Sequence, residues 1–113
     1  MSFFTTQVTG SIWSRASDTV PASSTKVILS TPATFKSIVV YANGFTATES
    51  KVAHHVVNLE TSGVKWNSTS IINSGLSYSI SFAVTSGNLE MSLTNNEIFE
   101  LSTDVVRLEL GFI

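Results

Sequence analysis

Histidine is the side chain best suited to proton transfer or metal ligation near neutral pH, and this chain carries two side by side, His54 and His55. They fall in the run KVAHHVVNLE at 51 to 60, which reads as a strand, and strand neighbours point to opposite faces. The two are therefore not placed to share a metal. A ligating or catalytic role for either needs a distant carboxylate such as Glu49 or Glu60 folded against it; otherwise they are ordinary strand residues. Serine is plentiful, so a Ser-His-acid grouping is nominally available, but there is no G-x-S-x-G elbow. The match of Ser23-Ser24-Thr25-Lys26 to S-x-x-K is one that a serine-rich chain produces by chance. Glu97, Glu100 and Asp104 lack the alternation of a calcium loop, and neither a P-loop nor G-x-G-x-x-G occurs. With no cysteine, thiolate zinc sites and thiol nucleophiles are excluded. These residues predict a chain with no enzymatic role, no cofactor and no metal.

Aromatic side chains remain as candidates for binding, because Trp and Tyr offer contact area together with a polar handle. Trp66 sits between a glycine turn and the polar stretch Asn67-Ser68-Thr69-Ser70, the setting of a sugar-stacking or subunit-contact tryptophan; the alternative is a partly buried core residue. Asn67 beside it is a candidate glycan or partner contact. Phe3 and Phe4 cannot both face one core if they lie in a strand, so one of them covers either a neighbouring subunit or its own sheet.

These candidates have to be positioned by a framework of 113 residues, 42% hydrophobic and only 12% charged. The charged share is well below the usual ~25% of soluble domains. Ser and Thr supply the polarity instead, which suits the outward face of a sheet, and a weakly charged face loses little on docking. The net charge is −2 and Arg15, Lys26, Lys36, Lys51, Lys65 and Arg107 are scattered singly, so no nucleic-acid partner is expected. No window approaches the ~18 apolar residues of a membrane span, and MSFFTTQVTG has the pattern of no secretion signal. Asn67-Ser68-Thr69 is then read as a turn rather than a glycosylation site.

The pattern along the chain is all-β. Tyr78, Ile80, Phe82 and Val84 alternate with Ser77, Ser79, Ser81 and Ala83; Ser86-Gly87-Asn88 turns the chain, and Leu89, Met91 and Leu93 alternate in the return strand. The segment VVRLELGFI places Val106, Leu108, Leu110 and Phe112 on one face and Val105, Arg107, Glu109 and Gly111 on the other, running as a strand to the end, with the terminus held in a sheet or by another subunit. KVILS at 26 to 30 and FKSIVVYA at 35 to 42 flank a turn or bulge at Thr31-Pro32-Ala33. Asn43-Gly44 leads into a loop up to Ser50, and KVAHHVVNLE, apolar on both faces, reads as central or interfacial. Turns at Thr61-Ser62-Gly63 and Asn73-Ser74-Gly75 complete about eight or nine strands. SRASDTVPASS at 14 to 24 reads as the longest loop. The expectation is one antiparallel β-sandwich, jelly-roll-like, over residues 1–113, with residues 1–24 as an N-terminal strand and loop able to act as an assembly arm.

The succession Lys26-Val27-Ile28-Leu29, then Phe35-Lys36-Ser37-Ile38-Val39-Val40-Tyr41-Ala42-Asn43, then paired amphipathic strands and an apolar final strand resembles small bacteriophage virion proteins. The resemblance is to the β-sandwich modules of tails, fibres and capsid decorations and covers residues 25 to 113. It implies a structural, homo-oligomeric part of a virus particle, made in the host cytoplasm, that meets copies of itself and other virion proteins. A carbohydrate- or receptor-binding module with Trp66 at a shallow sugar site is the alternative.

Overall fold

The computed structural model describes residues 13–112. Eight antiparallel strands form two sheets, and no helix occurs among the described residues. The strands are β1 (Trp13–Val20), β2 (Thr25–Pro32), β3 (Phe35–Phe45), β4 (Ser50–Glu60), β5 (Gly63–Asn73), β6 (Tyr78–Thr85), β7 (Asn88–Asn95) and β8 (Leu101–Phe112). The larger sheet has the order β1-β8-β3-β4-β5 and the smaller β2-β7-β6. The chain changes sheet after β1, β2, β5 and β7, whereas β3-β4-β5 and β6-β7 follow one another as hairpins. The sandwich is as expected, with its strands divided five and three.

The core lies between the sheets. The larger sheet contributes Ile38, Val40, Val57, Leu101 and Val105, and the smaller contributes Phe82, Leu89, Met91 and Leu93, all buried. Period-2 alternation selects these residues, most plainly in β7, where every second residue from Leu89 to Asn95 is buried. In β2 a bulge between Val27 and Leu29 lets Ile28 and Leu29 both turn inward, as an extra residue in one strand allows. Pro32 closes β2, which pairs on one side only with β7, so its missing N–H costs no ladder bond.

The expected β6–β7 hairpin is present, with Thr85 opposite Asn88. Ser86 and Gly87 both take positive φ, 53° and 81°, the mirror-image turn that matches strand twist. At the other end of β6, Tyr78 lies over Gly44. A Cβ on Gly44 would stand 2.6 Å from the Tyr78 ring, so this position accepts only hydrogen. Tyr78 also donates its hydroxyl to the Lys51 carbonyl at 2.7 Å, and Lys51 Nζ donates to the Tyr78 carbonyl at 2.9 Å. Two sheets are thereby clasped at one corner.

Asn95 organises the opposite corner. It is buried, donates through Nδ2 to the carbonyls of Val20, Pro21 and Phe99, and accepts from the Glu97 amide through Oδ1. One side chain thus supplies partners to two connections that have no ladder of their own.

Three expectations change, and the structure settles one face that the sequence left open. Residues 14 to 20 are strand, not loop: β1 pairs with β8 as a sheet edge, and with charges spread along it the stretch lacks the apolar alternation of a central strand. Asn43-Gly44 stays inside β3, and the turn falls at Thr46–Glu49, where Thr46 Oγ1 accepts the amides of Thr48 and Glu49. Asn67-Ser68-Thr69 lies inside β5 rather than in a turn. In β8 the mixed face turns inward. Leu101, Thr103 and Val105 are buried, and the same alternation carries Arg107 and Glu109 between the sheets, 3.4 Å apart, where Thr31 Oγ1 donates to Glu109. Val106, Leu108 and Leu110 consequently face outward.

Candidate functional site

β5 is the edge of the larger sheet, and nearly all of its length is exposed: β6 of the smaller sheet approaches its inner face without covering it. Its polar sequence is tolerated for that reason: pairing with β4 supplies the ladder and almost no side chain is needed for the core. Alternation separates the two sequence candidates on this strand. Trp66 pairs with buried Val57 and turns its indole to the inner face, edge-on to Phe82 at 5.6 Å. Asn67 pairs with Val56 on the outer face, where Val56, Asn58, Lys65 and Asn67, with Trp66 at its margin, line a shallow groove of about 340 Å³. Trp66 is 40% exposed, so the ring is partly covered and partly presented. Phe3 and Phe4 lie outside the described residues.

On the inner side, β5 and β4 stand across from β6 and leave a cleft of about 270 Å³ lined by Lys51, Ala53, His55, Ser68, Ser70, Tyr78, Ser79 and Ile80. The two histidines part as strand neighbours must. His54 is outward and stacks on Tyr41 with ring centroids 4.8 Å apart, whereas His55 is inward and only 2% exposed. Phe82 stands between His55 and Trp66, edge-on to each. Lys51 Nζ lies 4.4 Å from the centroid of the Tyr78 ring, a cation–π contact within the usual range.

His55 Nδ1 is 2.7 Å from Ser68 Oγ, and its Nε2 is buried with no partner among the described residues. Burial, with the nearby charges of His54 and Lys51, lowers the His55 pKa from 6.5 to about 4. The imidazole is therefore neutral at neutral pH. A serine hydrogen-bonded to an imidazole is the first half of a nucleophile–base arrangement, but nothing here orients or charges the far nitrogen, and so low a pKa makes a weak base. What the cleft offers chemically is a cation, three serine hydroxyls and the Tyr78 ring. Ser68, Ser70 and Lys51 are functional candidates that the sequence reading missed. The turn at 61 to 63 carried the signal, because a hairpin closing with Glu60 opposite Gly63 places His55 opposite Ser68.

This arrangement of strands occurs in a known protein. Over 89% of the chain it matches 19% of a tailspike protein of Acinetobacter baumannii bacteriophage Fri1, a capsular polysaccharide depolymerase, with a TM-score of 0.50 and 14% identity. The fold resembles a tailspike segment. Also similar are the tailspike proteins of Acinetobacter baumannii phage AM24 (TM-score 0.40, 8% identity, 91% of this chain and 27% of that one) and of Acinetobacter phage vB_ApiP_P1 (0.43, 13%, 88% and 21%). The chain spans about a fifth to a quarter of the length of these proteins. No family model and no curated protein matches it. The expectation of a chain with no enzymatic role is corrected by the first likeness. The same fold stands inside an enzyme, so the absence of a recognisable catalytic motif carries no weight against catalysis.

Proposed function

We propose that the chain is a module of a phage tail component of the tailspike or fibre kind, carried in the virion, and that it assembles with a second copy through the outer face of its larger sheet. The observation that carries this reading is the fold likeness across 89% of the chain. The outer face supports it. Val39 lies between Leu108 and Val56, and Tyr41 between Val106 and His54, giving a continuous apolar field in which Tyr41 and Val56 are well exposed. Five strands ~4.8 Å apart and roughly ten residues long at ~3.3 Å each present about 800 Å², close to one side of a standard protein interface. A two-fold contact sets one patch against itself, and the charges at its two margins are already paired, Arg15 with Asp104 and Lys65 with Glu60. Light scattering coupled to size exclusion tests the reading: a discrete multimer that survives dilution is expected, and Val56→Glu should reduce it to the mass of one chain. A single-chain mass at every concentration overturns it. A second reading, glycan binding by the same module, is favoured by the hydroxyl-lined cleft between β5 and β6.

A further inference from the structure

The cleft carries that second reading further. Of its lining residues Lys51 is cationic and none is a carboxylate. Lys51 Nζ spends one donor on the Tyr78 carbonyl, and an ammonium has three. Ser70 and Ser79 line the cleft and make no side-chain hydrogen bond among the described residues. A serine hydroxyl both donates and accepts, so Ser70 and Ser79 can meet a sugar hydroxyl in either sense. At about 270 Å³ the space is just below the range that takes a drug-sized ligand and suits a single sugar residue.

We propose that this cleft binds one carboxylate-bearing sugar residue of a polysaccharide, its carboxylate on Lys51 and its hydroxyls on Ser68, Ser70 and Ser79. The inference rests on the glycan reading and adds the ligand class and the side chains. The outer groove beside Asn67 is a different surface, on the other face of β5, and takes no part. A lone sugar held by a few hydrogen bonds binds in the millimolar range, and repeated modules on one particle raise the effective affinity without new contacts.

The test is a ¹H–¹⁵N titration of the full chain with D-glucuronate, D-glucose and acetate. Glucuronate is expected to shift the amides of Lys51, His55, Ser68, Ser70 and Ser79 and to bind at least about tenfold more tightly than either glucose or acetate, as a charge-assisted bond implies. Lys51→Gln should abolish that preference, and Ser70→Leu, which fills the cleft without removing an existing bond, should abolish binding with the fold intact. Equal binding of glucose and glucuronate overturns the acidic ligand class but leaves the glycan reading standing. Shifts confined to Asn58, Lys65 and Asn67 overturn the site. Equal binding of acetate overturns sugar recognition, and no shift with any of the three overturns both.

Discussion

Lowering the pH from 7 to 4 should remove about 3 kcal/mol of folding stability through His55 alone. In the folded chain its imidazole is held neutral down to about pH 4 by burial and by the charges of His54 and Lys51, against an ordinary value of 6.5. Between those two values the unfolded chain binds a proton that the folded chain refuses, so stability is complete above about 6.5 and falls as the pH drops towards 4. Each tenfold difference in proton affinity is worth about 1.4 kcal/mol, and the full loss is a large share of the ~5–15 kcal/mol of a typical domain. Asp18 and Asp104 do not cloud the window. Asp18 is held below its ordinary value by its hydrogen bond from Lys26, and Asp104 by its hydrogen bonds from Arg15, so their losses come at still lower pH. Urea unfolding at fixed ionic strength measures the effect, with His55→Gln as the variant that cannot titrate. The wild type should lose up to about 1.4 kcal/mol per pH unit in mid-window. The variant, less stable throughout, should be flatter there. A wild-type profile flat from pH 7 to 5, or equal slopes in the two proteins, would refute the reasoning.

Gly44→Ala should cost about 1–3 kcal/mol in urea unfolding, because the new methyl meets the Tyr78 ring at 2.6 Å and a packed aromatic yields only with strain; an unchanged midpoint would count against the clasp. Asn95→Ala removes partners from three carbonyls and one amide and should destabilise by about 2–4 kcal/mol, with the largest loss of amide protection around Pro21 and Glu97. Burial pushes the Tyr78 phenol up to about 12, so Tyr78→Phe should leave the ultraviolet phenolate titration below pH ~11 unchanged. A loss of signal there would show a more open ring.

The parts of the fold legible in the sequence are those where one face is wet and the other dry. The β6–β7 hairpin is legible because Tyr78 and Phe82 on one strand and Leu89, Met91 and Leu93 on the other all alternate with polar residues around a turn. β1 is not, because an edge strand buries little beyond Val20 and its pairing with β8 leaves no apolar period to read. β8 shows both sides of this. Its extent from Val105 onward is plain, but which face is inner is set by Leu101, Thr103 and Val105 at its start, and the more apolar face at its end points out. As for the site, the opposite facing of His54 and His55 follows from strand geometry alone. The meeting of His55 with Ser68 needs the hairpin register. That of either with β6 needs the packing of one sheet on the other, a contact between distant segments on which local periodicity is silent.

The overhang of the larger sheet divides labour within the chain. β3, β4 and β8 hold the core and tolerate little, whereas β5 is ordered by its partner's backbone and owes almost none of its side chains to stability. A strand of that kind can be rewritten residue by residue while the scaffold under it stays the same. Substitutions there change what the surface presents without being filtered first for folding, so β5 is the strand on which this scaffold can vary most freely.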